Sequence, residues 1–548
     1  MNATRLILTA CCFWWIQGAA IDPKNVVVLV NQSDHKSIDL GYYYALKRNV
    51  PIENIIHLDL PSDENISWDV YLGKLYNPLV NQLMEANWLD GFASKRKDEV
   101  GRQITLIESH KIEALVICKG VPLRIQKDPA RLPPKESYPK EKLQFYTNRS
   151  SVDSELALVP FPKAAIAGFY ANPIFRRTET RNLFDLKPLV VGRLDGPSYE
   201  LATALIDNAI LAEKEGIAGR AYIDIKGPHE AGDAWLEDTI EQFNEKGYDV
   251  EANREEGRFN LVDRFDEPLF YFGWYSSAID GPFTHFGFEF PVGAIALHIH
   301  SYSASTIRNG SKYWLGPLVA RGVTATFGNT SEPYLGLTHQ PQLIMDALFK
   351  GMSTGEAALY SIAGLSWMGV FIGDPLYQPP FGLKLLPKNE YDILRTANKA
   401  RNAGDKSAFK AVLYEHEKRQ HFSTGLWLYE YYFALGDNEQ AYHFLSTLKQ
   451  PSAKEKRNWG ILLDIAEGFF ELGHPKQARA LFDDLLKRTQ STRQLKLQLL
   501  KRGVQSAGKH QHAEMLTAWN KQLEKLTGPK EESEKKKYYG AVLANVSV

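Results

Sequence analysis

Short apolar runs that stop at polar or glycine residues recur along the first two thirds of the chain, separated by amphipathic stretches of helical length. Val26–Val30 ends in Asn31-Gln32-Ser33-Asp34. Ile55–Leu60, Ala114–Cys118, Leu189–Arg193, Ala221–Ile225, Leu269–Gly273, Gly293–His300 and Thr324–Gly328 repeat the signal, and a last run precedes Gly373-Asp374-Pro375. An uninterrupted apolar run of this length reads as a strand buried on both faces, which needs helices on either side of a parallel sheet. Helices are predicted over about 37–47, 68–88, 198–215, 234–246, 342–350 and 354–365. The alternation therefore predicts an α/β fold with a doubly wound, mainly parallel sheet. Residues 120–188, rich in proline and poor in periodicity, interrupt it as a functional lid or a decorated insertion.

From Glu390 the texture changes to helix formers with a recurring Gly and Ala. Gly436 with Ala441, Gly473 with Ala478 and Gly508 with Ala513 share one spacing, and Gly404 with Ala408 is a weaker copy. Leu435-Gly-Asp-Asn-Glu-Gln-Ala441 and Leu472-Gly-His-Pro-Lys-Gln-Ala478 resemble the turn and second helix of tetratricopeptide repeats, where the Gly serves the turn and the Ala permits close packing. A plain helical bundle is the alternative. The expected domains are an α/β body over 21–388 and helical repeats over 390–527, followed by a charged, flexible segment over 528–548.

Ahead of the body, Arg5, the apolar Leu6–Ile16 and the small residues up to Ala20 read as a signal peptide over 1–20. Leu8-Thr9-Ala10-Cys11 offers lipidation as a second reading, although little apolar sequence precedes Cys11. The expected location is outside the cytoplasm, in a periplasm or beyond. With Cys11 and Cys12 removed, Cys118 is the single cysteine of the mature chain, so no internal disulfide forms and the residue reads as a small buried hydrophobe. The net charge of −1 conceals an acidic body and a basic tail, neither dense enough in Lys and Arg for nucleic-acid binding. No other apolar run reaches membrane-spanning length.

Function in a doubly wound sheet collects past the carboxyl ends of its strands. That rule nominates Asn31, Asp34, Cys118, Lys119, Asp195, Asp224, Trp274, Tyr275, the segment His298–Ser303, Asn329 to Glu332, and Asp374. His298 and His300 share one strand face and could bind one metal, zinc for example, with Asp224, Glu332 or Asp374 as third ligand, or else cap a strand end through hydrogen bonds. Ser301 or Ser303 beside a histidine, His285 included, would suit nucleophilic catalysis, but no Gly-x-Ser-x-Gly elbow accompanies them. The strand ends at Gly273 and His300 should converge on one crevice, with Trp274 in its wall or plugging the core top, and Tyr275, Asn329 and Glu332 beside it.

Val191-Gly-Arg-Leu194 with the helix that follows, Gly322–Gly328 and Gly373-Asp-Pro375 resemble the corresponding segments of gingipain-type cysteine peptidases, whose catalytic domain has a caspase-like fold. Trp274 stands where that family's strand ends in a histidine, and His300-Ser-Tyr-Ser303 where its nucleophilic cysteine belongs, so both halves of the dyad are missing. Gly273-Trp-Tyr-Ser-Ser277, His298–Ala304, Glu332-Pro-Tyr334 and Gly373–Tyr377 together are similar to an uncharacterised family of exported bacterial proteins. The reading is an exported, non-peptidase, gingipain-like binding scaffold, a pseudoenzyme, with a helical-repeat domain for a protein or peptide partner and no cofactor predicted. A hydrolase using His and metal, or Ser and His, at the same crevice is the alternative.

Overall fold

The computed structural model describes residues 21–98, 100–161, 166–177, 186–382, 389–405, 408–489 and 492–527. The signal peptide and the charged terminal segment expected from the sequence lie outside them. Ten strands form one sheet: β1 (Val26–Asn31), β2 (Ile55–Leu58), β3 (Ala114–Cys118), β4 (Val190–Leu194), β5 (Arg220–Asp224), β6 (Val250–Asn253), β7 (Pro268–Gly273), β8 (Ile295–His298), β9 (Ala325–Asn329) and β10 (Gly369–Gly373). Their order is β6-β5-β7-β8-β9-β10-β4-β3-β1-β2. β9 and β10 are antiparallel, β10 meets β4 at the single bridge Arg193 to Ile372, and the remaining neighbours pair in parallel.

Alternation along the strands divides the core in two. Val26, Val28 and Val30 pack with Leu40 and Tyr44 of helix His35–Arg48 and Leu205 of helix Tyr199–Glu215. Val27 and Leu29 point the other way, to Leu79 and Leu83 of helix Asn77–Glu85. In the other half of the sheet Phe270 and Phe272 meet Phe243 of helix Glu230–Glu245 and Ile344 of helix Pro341–Phe349. Both faces are covered, as continuous apolar strands require.

Two elements carry no apolar run, so the sequence pattern does not mark them. The edge strand β6 is half-buried throughout, and its Glu251 pairs with Arg220. The hairpin Leu89–Lys97 with Gln103–His110 keeps charged residues and Phe92 outward. The insertion over 120–188 is tied to the body by short strands Arg124–Ile125 and Ser150–Ser151 beside Asn65–Ile66. Its helix Val152–Leu156 presents Asp153 to the fully buried Arg193, whose guanidinium also donates to the Val121 and Pro122 carbonyls.

The C-terminal region is all helical. Helices Glu390–Asn402, Ala408–Arg419, Phe422–Ala434, Asn438–Thr447, Trp459–Glu471, Pro475–Arg488, Arg493–Lys509 and Ala513–Thr527 pack as four successive hairpins. Gly404, Gly436 and Gly473 take positive φ in three of the turns, where a side chain would be strained, and Ala441 and Ala478 are fully buried. The fourth turn departs from the repeat seen in the sequence. Gly508 stays inside its helix, Gln511 adopts the left-handed conformation instead, and Ala513 is exposed.

Candidate ligand crevice at the carboxyl edge

The end of β7 pairs with the end of β8, Gly273 opposite His298, and Ile299 N–H donates to the Gly273 carbonyl at 2.8 Å. The two strand ends therefore lie side by side. The side chains just below this edge form a buried polar chain. His298 is fully buried and stacked on Trp314 with ring centroids 3.6 Å apart. Its Nε2 accepts from Ser276 N–H at 2.9 Å, which makes Nδ1 the protonated nitrogen of a neutral ring and the donor to Tyr271 Oη at 2.9 Å. The Tyr271 hydroxyl then donates to Asp224 Oδ2 at 3.0 Å. Burial, with Arg258 and His300 adding smaller repulsions, holds the His298 imidazole well below its ordinary range.

Asp224 ends the chain at β5. Its Oδ1 accepts from Asn253 Nδ2 at 3.0 Å and Phe259 N–H at 2.9 Å. Three donors favour the carboxylate, but burial outweighs them and pushes the group up to about 7. Tyr271 and Asn253 had no sequence signature. One lies inside an apolar run and the other on an edge strand that the apolar pattern does not reveal.

The structure assigns the other nominated residues to distinct places. Ser303 is fully buried, and its Oγ accepts from Asn329 N–H at 3.0 Å, while Asn329 Nδ2 donates to Thr338 Oγ1 at 2.8 Å. Neither residue lines an open surface. Trp274, expected in the crevice wall or plugging the core top, is 1% exposed. Its indole Nε1 donates to Asp233 Oδ1 at 2.8 Å and its rings lie on Gly227 and Gly232, whose missing Cβ atoms leave the space. It fills the core under helix Glu230–Glu245. Asp374 is on the opposite edge: β10 runs antiparallel to β9, so Gly373 lies across from Ala325, the first residue of β9. There Asp374 accepts from Tyr44 Oη at 2.9 Å and Arg48 Nε at 2.5 Å. It cannot join His298 as a ligand. His285 donates to the Leu261 carbonyl, and among the described residues no hydrogen bond joins a histidine ring to the hydroxyl of Ser301 or Ser303.

Metal chemistry finds no donor set. Both His298 nitrogens are engaged, and among the described residues no group of three or more His, Cys, Asp or Glu side chains gathers to hold an ion. Lys119 and Asp195 are paired with each other at 3.2 Å, with Arg308 also on Asp195 at 3.0 Å. Cys118 is buried, and burial raises its thiol far above the usual range.

What remains open is a small polar and aromatic surface above the buried chain. Tyr275, joined to Trp274 by a cis peptide bond, is 44% exposed, and its ring lies 4.6 Å from that of the half-buried His300. Ser301 is half-buried and Tyr302 is exposed beside them. Burial lowers the His300 imidazole, and the nearby exposed Glu332 carboxylate opposes that shift. Arg258 borders the same surface, with Nη1 3.3 Å from the Tyr275 carbonyl and Nε 2.7 Å from Asp280. The 120–188 insertion reaches this edge, because Arg124 donates to the Ser305 carbonyl and Arg149 to Ser331 Oγ. A cavity of about 40 Å³ lies elsewhere, among Asp153, His339, Leu359 and Val370, with room for a few waters at most.

No helix among the described residues is long and apolar enough to cross a membrane. No family model and no curated protein matches the sequence. Among solved structures, one titled "Structure of Protease" is similar over 67% of this chain and 83% of its own, at 12% identity and a TM-score of 0.34.

Proposed function

We propose that the chain is an exported binding protein without peptidase chemistry, which holds an extended segment of a protein against Tyr275, His300 and Glu332. The observation that carries this reading is the state of the groups that could do chemistry. His298 has both nitrogens in hydrogen bonds, Ser303 Oγ is spent on a backbone N–H, Cys118 is buried, and Asp374 is on the far edge. A nucleophile needs an adjacent base, and a catalytic metal needs ligands with free lone pairs; these four residues offer neither. The exposed patch offers an aromatic face, an imidazole and a carboxylate, a set that suits a peptide carrying a basic side chain.

The test is fluorescence anisotropy with fluorescein-labelled unfolded casein as probe. Binding that weakens at least tenfold in Tyr275→Ala and in the Glu332→Gln variant supports the proposal. Absence of binding, or binding indifferent to both changes, overturns it. Stoichiometric zinc lost on His300→Ala, or labelling of Ser301 by a fluorophosphonate probe, would instead favour a hydrolase.

A further inference from the structure

The hairpin Leu89–Lys97 with Gln103–His110 pairs only with itself, outside the ten-stranded sheet, and its two faces are unequal. One face packs on the body. Leu89 and Ile107 join the core that holds Leu79 and Leu83 of helix Asn77–Glu85, and Thr105, two residues from Ile107, is buried on the same side. The other face is turned to water. It carries Phe92, 67% exposed, directly opposite Leu106, 52% exposed, with Ile104 two residues further along the same side. Alternation thus buries a threonine and leaves a phenyl and two aliphatic side chains in solvent, the reverse of what a merely solvated second face requires.

Charge is sorted along the same hairpin. Asp90 and Glu108 are exposed at the end next to the body. Toward the far end the ladder is irregular between Ala93 and Lys97, and Lys95, Arg96 and Lys97 are all exposed there. Asp98 is taken up by Arg102 at 2.8 Å, and among the described residues no carboxylate pairs with Lys95, Arg96 or Lys97. The far end is also held in place: Asn77 Nδ2 donates to the Gly101 carbonyl at 3.1 Å, Gln103 N–H donates to Asn77 Oδ1 at 2.8 Å, and Arg131 donates to the Val100 carbonyl. The apolar side chains and the three cations are therefore presented together on an anchored ribbon.

Such a surface calls for a partner that is apolar and anionic at once, and spread over an open face rather than inserted into a groove. The headgroup layer of an anionic bilayer has both properties: apolar side chains enter it, and each nearby Lys or Arg strengthens binding about fivefold. We propose that the outer face of this hairpin docks the protein on an anionic lipid surface, with Phe92, Ile104 and Leu106 entering the headgroup layer and Lys95, Arg96 and Lys97 meeting its negative charges. The inference is independent of what binds beside Tyr275 and His300.

The test is co-sedimentation of the full chain with vesicles of phosphatidylcholine alone and of phosphatidylcholine mixed with phosphatidylglycerol. The mixed vesicles should bind at least tenfold more tightly, and added salt should weaken that binding. The triple variant Lys95→Gln, Arg96→Gln, Lys97→Gln and the double variant Phe92→Ser, Leu106→Ser should each lose at least tenfold in affinity for the mixed vesicles. Both alter exposed side chains, so thermal unfolding should stay at the wild-type temperature, and any contribution from the apolar Leu6–Ile16 is common to all three proteins. In the wild type, mixed vesicles should slow hydrogen exchange of residues 92–96 and 104–106 at least tenfold, a reading that needs no variant. Absence of binding to the mixed vesicles, equal binding to both kinds, wild-type affinity in either variant, or unchanged exchange in the hairpin would each overturn the inference.

Discussion

Replacing Asp224 with Asn removes a carboxyl whose proton affinity differs strongly between the folded and unfolded chain, and that difference sets a pH-dependent stability. Burial lifts the group from the ordinary 3.8 to about 7, against the pull of Asn253, Phe259 N–H and Tyr271, with Asp263 adding a small repulsion in the same direction as burial. The folded state binds this proton more tightly, so the group favours folding at low pH. That advantage drains away as pH rises through the unfolded value and is exhausted above the folded one. A rise of this size is worth about 4 kcal/mol of preference for the protonated form. The stability of wild type minus that of Asp224→Asn should therefore fall by about 4 kcal/mol between about pH 4 and about pH 8. The other buried acids are common to both proteins and cancel in the difference. Any fixed cost of setting an Asn amide against Tyr271 shifts the curve without changing its slope. The assay is hydrogen exchange of β5 and β7 amides under increasing urea, at several pH values, for the two proteins side by side. A difference constant with pH to within about 1 kcal/mol would refute the reasoning that desolvation dominates at Asp224.

Arg193→Met should cost about 3–5 kcal/mol, because Asp153 then stays buried without its bidentate partner; thermal unfolding reads the loss. Gly232→Ala drives a Cβ to within 2.0 Å of the Trp274 ring, so about 1–3 kcal/mol of stability should go, with a shift in tryptophan emission as the local signal. Cys118 should resist thiol reagents in native protein and react at the rate of unfolding, since its buried thiol does not ionise in the neutral range.

The strands that hold the sheet together were legible because burial on both faces forces an uninterrupted apolar run. Val26–Val30 and Ala114–Cys118 are seen in the sequence almost to the residue. β6 escaped because an edge strand is under no such constraint, and Glu251 sits where an apolar residue would have marked it. The fate of Asp374 depends on strand direction. The rule that function gathers at carboxyl ends holds for parallel neighbours, and nothing in Gly369–Gly373 says that this strand runs the other way. The sequence leaves Trp274 either in the crevice wall or in the core top, because the small residues that admit its indole, Gly227 and Gly232, lie upstream on another part of the chain. His298 and His300 are two residues apart, but one is sealed under Trp314 and the other is half open beside Tyr275, a distinction made by distant parts of the chain.

Binding without cleavage at the carboxyl edge, as proposed above, is open to direct assay. Its most direct measurement is the release of soluble peptide fragments from labelled unfolded casein by the purified full chain, run over many hours with and without added zinc. No release above a buffer control is expected under either condition. Release by wild type that disappears in His300→Ala or in Ser301→Ala would contradict it.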